Sequence, residues 1–392
     1  MELDNTYCSL ANNGLFCSID GKVSQCCIQD RKFFSSLDWS TIDNIEQFYK
    51  SNSSLSEIRD ALNNGIRHPA CKTCWYYEDI GNISKRQKHS KPSDTTVSFL
   101  DLRLTNKCNL KCKMCGTYNS DQWINYGLEL EKEKGIDTIS RHSVPDSYPV
   151  EHMLNLVLKS PNLKHIRFAG GEPFIMPEVE KFIDGLINEN KTNIHLDFIT
   201  NVTAIKPKVI EKLQKFERVV INCSIDGVGE EFEYQRYPAK WETIEKNFKT
   251  LLNYKTRNLI VTLVPCVGIL NTLTIDKFLE WTLQFEQFDQ RMYIAFNEIL
   301  TPSFQNFRHI PIYKREHTIK KLNAIKKDFL MYRRSKSEKY NWESFIEKSI
   351  HEYKPMSEQD KKTFKHYALD IWDYKCNTKF LDMYPWAEEI WN

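Results

Sequence analysis

Val97-Ser-Phe-Leu-Asp-Leu-Arg-Leu104, followed at once by Cys108-Asn-Leu-Lys-Cys112-Lys-Met-Cys115, is the stretch on which the fold turns. The alternating apolar residues predict a strand over 97–104, and three thiols arrive directly after it. Working outward, further strands are predicted at Lys164–Phe168, Ile194–Thr200, Val219–Ser224, Leu259–Val267 and Met292–Phe296. Helical patterns lie between them at Pro177–Asn188, Lys206–Lys215, Trp241–Tyr254 and Thr274–Phe285, and Ser120-Asp121 opens one after the triplet. Six strands alternating with helices predict a parallel sheet with right-handed crossovers. That is an α/β chain with a partial (β/α)6 TIM-like barrel, or alternatively an open doubly wound sheet.

The chain has 392 residues, and its 54 Lys+Arg against 52 Asp+Glu leave a net charge of +2. Such a balance argues against a dominant polyanion partner, so nucleic acid is not the expected ligand. No stretch approaches the roughly eighteen apolar residues of a membrane helix. The opening MELDNTYCSL shows no secretory pattern, so a cytoplasmic, reducing location is expected. There the twelve cysteines read as ligands, catalytic groups or core. Nine of them precede residue 116, including Cys71-Lys-Thr-Cys74 and the triplet. Cys17, Cys223, Cys266 and Cys376 read as small buried hydrophobes. Gln87–Thr96 is polar and reads as a linker; from about Tyr313 the chain turns helical and charged, then Trp- and Tyr-rich.

Three thiolates can converge on one metal centre, but a zinc finger would want a fourth ligand close by, and none follows before Cys223. A 4Fe–4S cluster held by three cysteines leaves one iron open to a small molecule. CxxxCxxC at the first strand of a partial barrel resembles the radical S-adenosylmethionine superfamily. The resemblance implies that Cys108, Cys112 and Cys115 hold a cluster that chelates S-adenosylmethionine. It also implies reductive cleavage to a 5′-deoxyadenosyl radical that abstracts hydrogen from substrate.

Further positions resemble the family's motifs in order. Gly170-Gly171-Glu172 is similar to the GGE turn, where the glycines allow close backbone approach and Glu172 accepts from the methionyl ammonium. Thr200-Asn201 is similar to the TN pair. Ser224-Ile225-Asp226-Gly227 with Arg236 resembles the SxDG…R stretch of the peptide-modifying branch, implying a ribose contact and a guanidinium for the ligand carboxylate. Val267 and Asn271 fall where adenine is packed and bonded. Met114 stands where the family usually has an aromatic residue, and a thioether can fill that space. An unrelated α/β protein with a zinc or redox triplet is the plain alternative.

The N-terminal cysteines follow Cys8-x12-Gly21-x4-Cys26 with the later Cys71 and Cys74, which resembles the twitch (SPASM-like) auxiliary-cluster half-motif. Glu78, Gly81, Ser84 and Arg86 fit the E-x-G-x-x-S-x-R segment of N-terminal twitch proteins. The resemblance implies that Cys8, Cys26, Cys71 and Cys74 hold a second 4Fe–4S cluster. Cys27 is the alternative to Cys26, and structural zinc the alternative to iron–sulfur. The implied layout is an auxiliary iron–sulfur domain over 1–90, a radical barrel over 96–300 and a helical extension over 301–392 that closes the barrel.

Fold and cofactor do not name a substrate. The family implies oxidation, crosslinking or epimerisation of a peptide or protein, with a sugar or aminoglycoside dehydrogenase or epimerase as alternative, and tRNA or nucleotide modification as a second. It also implies an electron donor such as flavodoxin or ferredoxin. An epimerase needs a hydrogen donor, for which Cys266 and Cys376 are candidates. A non-catalytic binder is opposed by the intact motif run from Cys108 to Arg236. The aromatic tail, with Trp372, Trp386 and Trp391, reads as core or lid, while His89, His165 and His195 sit in no ligand spacing.

Overall fold

The computed structural model describes residues 6–91, 93–136, 149–254, 256–285, 292–331, 345 and 349–391. Pro92 of the polar segment, residues 332–334 of the basic stretch and Asn392 of the tail lie outside the described residues.

The barrel strands are β4 (Phe99–Leu102), β5 (His165–Phe168), β6 (His195–Thr200), β7 (Val219–Cys223), β8 (Leu259–Leu263) and β10 (Met292–Ile294), all paired in parallel. Strand alternation sends Leu100, Leu102, Ile166, Phe168, Leu196, Phe198, Ile221 and Val261 into one apolar core. Against it pack helices α8 (Pro177–Asn188), α9 (Pro207–Leu213), α11 (Trp241–Asn253) and α12 (Ile275–Thr282), each through an apolar stripe. Proline opens α8 and α9, where its missing N–H costs nothing. The other face of the sheet carries Asp101, Arg167, Asp197 and Asn222 and forms the polar interior of a partial barrel. The stretch 259–267 is broken at Pro265, which cannot donate to a ladder. Its end forms β9 (Cys266–Val267), paired with β11 (Asn297–Glu298) in a separate small sheet.

The sheet does not stop at β4. Strand β1 (Gly14–Cys17) pairs with β4 in parallel, and β2 (Lys22–Ser24) and β3 (Ser35–Ser36) continue antiparallel, giving nine strands in one sheet among the described residues. Leu15, Val23, Trp39 and Tyr49 therefore share the barrel's apolar core. A smaller cluster around Cys8, Leu62, Ala70 and Trp75 belongs to the N-terminal cysteine-rich region itself. The polar segment folds back on it: the Ser9 amide donates to the His89 carbonyl at 2.7 Å, and the Ser93 amide to the Tyr7 hydroxyl at 2.8 Å.

The C-terminal region is helical, including α13 (Ile312–Met331) and the helix Glu358–His366. Its aromatic residues build a second core with Trp123 and Tyr126 of α6 (Gln122–Lys134). Trp372 is fully buried there, and Trp386 and Trp391 pack at its edge. Among the described residues no helix is long and apolar enough to cross a membrane.

Candidate functional site

The cysteine triplet follows β4 on a loop that the start of α6 holds in place. The Cys108 amide donates to Asp121 Oδ1 at 3.0 Å, Ser120 Oγ donates to the Leu110 carbonyl at 2.6 Å, and Asn106 Nδ2 to the Thr117 carbonyl at 2.9 Å. Asp121 and Asn106 thus set the loop's shape, a role that only their closeness to the triplet hints at in the sequence.

Behind the loop runs the Gly170-Gly171-Glu172 turn. Both glycines have positive φ, +78° and +55°, and a β-carbon on Gly171 would lie 2.2 Å from the Lys107 carbonyl oxygen. Only glycine lets the turn and the cysteine loop meet. Glu172 is wholly buried. Its Oε1 accepts from Thr200 Oγ1 at 2.7 Å and from the Phe174 amide at 3.1 Å, and its Oε2 from the Asn201 amide at 2.6 Å. Burial nevertheless pushes the carboxyl up to about 7. The structure thus gives Glu172 protein donors from β6 and its own turn. Asn201 Nδ2 reaches Asn109 Oδ1 at 2.9 Å and Cys108 Sγ at 3.8 Å.

On the other side, Arg236 Nε donates to Asp226 Oδ2 at 2.6 Å while Nη1 points at Cys112 Sγ, 3.7 Å away. Asp226 Oδ1 accepts from the Cys266 amide at 2.7 Å. Asn271 spends its side chain on the backbone, donating to the carbonyls of Asp226 and Cys266 and accepting from the Gly268 amide. Ser224 joins through its amide, which donates to the Thr200 carbonyl at 2.8 Å. Val267 is packed in the main core and Met114 borders it. The Cys115 thiol, hydrogen-bonded to Cys112, and the nearby Arg236 hold the Cys112 thiol low, while Cys115 is raised and burial pushes Cys108 up to about 11. Cys266 lies on this side, its thiol pushed up to about 12 by burial. Cys376 instead lines a small cavity behind the loop with Lys111, Lys113, Trp123, Tyr126 and Trp372. There buried Lys113 donates to the Trp372 carbonyl at 3.1 Å, tying the tail to the triplet.

All twelve cysteines are free thiols. Among the described residues no three His, Cys, Asp or Glu side chains gather around a single ion. A cubane cluster spaces its thiolates more widely than one ion does, each on its own iron. The triplet fits such a group: three thiols on one loop, with Asn201 and Arg236 aimed at two of the sulfurs as outer donors.

In the N-terminal region Cys8 precedes helix α1 (Ser9–Asn13), and Cys71 and Cys74 stand at the start of α4 (Lys72–Asp79). The three thiols are close enough to raise one another, under a dominant burial effect that takes Cys71 to about 12. Cys26 packs against the same apolar cluster as Cys8 and Cys71, whereas Cys27 turns toward Lys85, whose Nζ is 3.0 Å from its sulfur. The two lie in the turn after β2 rather than on a strand, so no pleat separates them: their thiols hydrogen-bond each other, which raises Cys26 and lowers Cys27, and both feel Lys85. Glu78 and Arg86 form a buried bidentate pair at 3.0 and 2.7 Å, Ser84 Oγ donates to Glu78 Oε1 at 2.5 Å, and Arg86 Nη1 donates to the Tyr7 carbonyl at 2.9 Å. The E-x-G-x-x-S-x-R segment thus ties the CxxC helix to the segment that carries Cys8 into α1.

The cysteine triplet on the loop after β4, with a glycine turn beneath it and an Asp–Arg pair beside it, agrees with the resemblance to a radical S-adenosylmethionine domain. Residues 102–281 match the Radical SAM superfamily, and the domain they form belongs to that superfamily. It is 26% identical over 260 residues to the radical SAM cyclopropyl synthase TigE of Paramaledivibacter caminithermalis, covering 64% of this chain and 52% of that protein. It is 25% identical over 191 residues to the GTP 3′,8-cyclase of Clostridium botulinum strain Hall, covering 48% and 54%. The chain spans about half the length of the curated relatives it matches. Among solved structures, Streptococcus suis SuiB bound to its precursor peptide SuiA overlaps 76% of this chain and 54% of its own, at 14% identity and a TM-score of 0.40. Native anSMEcpe with bound AdoMet overlaps 60% and 62%, at 20% identity and a TM-score of 0.41.

Proposed function

We propose that this chain is a radical enzyme whose triplet Cys108, Cys112 and Cys115 holds a 4Fe–4S cluster, with a second cluster on Cys8, Cys26, Cys71 and Cys74. The observation that carries it is a relay of contacts from Cys112 to Arg236, from Arg236 to Asp226 and from Asp226 to Asn271, which joins the triplet to residues more than a hundred positions away. When bound, the cluster supplies the electron that splits S-adenosylmethionine into methionine and a radical able to take hydrogen from substrate. The chain's own residues do the positioning. Gly170 and Gly171 bring backbone to the cysteine loop, and Glu172, Thr200 and Asn201 brace it from β6. Arg236 offers a buried guanidinium to a ligand carboxylate, and Asp226 fixes its orientation. Ser224, Met114, Val267 and Asn271 frame the remainder of the ligand's seat.

Cys8, Cys26, Cys71 and Cys74 would saturate such a second cluster and leave it no iron open to S-adenosylmethionine, so these residues would serve electron transfer or substrate positioning, and electron transfer from the substrate would make the net change an oxidation. The SxDG…R stretch, assembled beside the triplet, favours a peptide or protein substrate, and a flavodoxin or ferredoxin serves as electron donor. The test is anaerobic reconstitution with reductant and S-adenosylmethionine. Formation of 5′-deoxyadenosine and methionine that vanishes in Cys112→Ala is expected; no 5′-deoxyadenosine from iron-loaded protein would overturn the reading.

A further inference from the structure

Asp101, in the middle of β4, points away from the leucine-lined core into the barrel interior. It is 1% exposed, yet among the described residues neither carboxylate oxygen has a hydrogen-bond partner. The nearest cations stand off, Arg103 Nε at 3.4 Å and Arg167 Nη1 at 3.9 Å. The next carboxylate on this face is treated differently. Asp197 accepts from Arg167 Nε and Nη2 at 2.9 and 2.6 Å, and from Asn222 Nδ2. Arg167 is therefore committed to Asp197, and Asp101 keeps compensating charge without donors.

A buried acceptor left without a donor costs free energy, and natural structures rarely tolerate one without a use for it. Asp101 and Asp197 face Arg103 and Arg167, and Lys85 with its Cys27 sulfur partner stands nearby, so cations are already plentiful here and a further one would be in excess. What Asp101 lacks is a hydrogen-bond donor that brings no charge. Lys85, close enough to feel the Asp101 carboxylate, reaches the same interior from the N-terminal region. Its Nζ spends one N–H on Cys27 Sγ at 3.0 Å, and an ammonium has two more to offer an acceptor on the same ligand. A group that both donates and accepts, a hydroxyl or a primary amide, meets both needs. Arg103 locates the seat: its Cδ would lie 3.0 Å from a β-carbon on Gly170, so it runs along the glycine turn beside the cysteine loop.

We infer that Asp101 is a specificity-determining residue of the barrel interior, seating a neutral hydroxyl or carboxamide group of the substrate beside the glycine turn. The inference rests on the radical-enzyme reading for its meaning, and its test is separate from that reading. Saturation-transfer-difference NMR on the reconstituted full chain would use three probes. They are N-acetylserinamide for a peptide source, methyl α-glucoside for a sugar source, and agmatine as a cation. Signal from either neutral probe, weakened about tenfold in Asp101→Leu and again in Asp101→Asn, is expected for loss of a hydrogen bond to a charged acceptor. Which neutral probe responds assigns the source. Signal from agmatine alone, or signal indifferent to Asp101, overturns the inference. Should Asp101→Leu fail to fold, the near-isosteric Asn variant decides. A binding role predicts an unchanged or raised melting temperature, and a melting temperature lowered by several degrees with intact probe signal shows a structural carboxylate instead. A wild-type chain that seats the probe but forms no 5′-deoxyadenosine would overturn the radical reading and leave this one standing.

Discussion

The carbonyl oxygen of Lys107 occupies the space a side chain on Gly171 would need: a β-carbon there would lie 2.2 Å from it, and the same oxygen accepts the Glu172 amide at 2.8 Å. This contact joins the turn after β5 to the cysteine loop after β4. Gly171→Ala must both strain a backbone at φ +55° and push that carbonyl away. The left-handed conformation alone costs an alanine about 1–2 kcal/mol, and the clash adds to it. The expected result is a folded barrel with a displaced loop that takes up little iron at the triplet. Iron content and the visible absorption of the cluster after reconstitution measure it; wild-type loading would show that the contact relaxes.

Arg236 and Asp226 are both buried, 6% and 0% exposed, and joined at 2.6 Å. Arg236→Gln leaves the carboxylate with the Cys266 amide as its side chain's remaining hydrogen-bond partner. Breaking a buried pair from one side costs on the order of 3–5 kcal/mol. The chain should lose stability by that order in urea titration, and binding of S-adenosylmethionine to the loaded protein should weaken. Asp226→Asn with Arg236→Gln together should recover part of the stability but not the binding. Such a split separates the pair's structural cost from its contact with ligand.

The barrel strands were legible because each is a short apolar run ended by a glycine, an asparagine or a serine, and the helices between them keep a helical period. The site was legible where chemistry fixes spacing, as in Cys108-x3-Cys112-x2-Cys115 and Gly170-Gly171-Glu172. Pairing of β1 with β4 was not, because four residues, Gly14–Cys17, carry no signal for a partner some eighty-five positions away. Nor was the engagement of Glu172 by Thr200 and Asn201, which depends on the register of β5 against β6. The aromatic tail reads as core or lid, but its packing on α6 and its tie to Lys113 depend on contacts with no sequence pattern. Asp101 looked like an ordinary polar residue on a strand, and only the distances around it show its missing donors.

Glu172 ties stability to pH. Burial raises its carboxyl from 4.5 to about 7, so the folded chain holds the proton more tightly than the unfolded one. The stability this confers is fully present below about pH 4.5 and is lost as pH rises through about 7. The whole effect is about 3 kcal/mol. Metal-free protein should therefore show a falling urea midpoint between about pH 5 and pH 7.5, and Glu172→Gln should flatten that slope while lowering the midpoint overall. Parallel slopes in the two proteins would assign the dependence to other groups.

Cys26 and Cys27 adjoin in sequence and hydrogen-bond each other, but Cys26 also packs on the cluster of Cys8, Cys71 and Trp75, while Cys27 takes the Lys85 ammonium. Full loading of both sites corresponds to about eight irons per chain. Cys26→Ala should reduce that to about four, whereas Cys27→Ala should leave it at about eight. Arg86→Ala is the companion test, because it strips Glu78, which is 8% exposed, of its cation and frees the Tyr7 carbonyl next to Cys8. It should cost on the order of 3–5 kcal/mol in the N-terminal region and drop the iron count as Cys26→Ala does. Zinc in place of iron at these four cysteines would appear as about four irons with one zinc in the wild type, and Cys26→Ala would then remove the zinc while the triplet's iron stays.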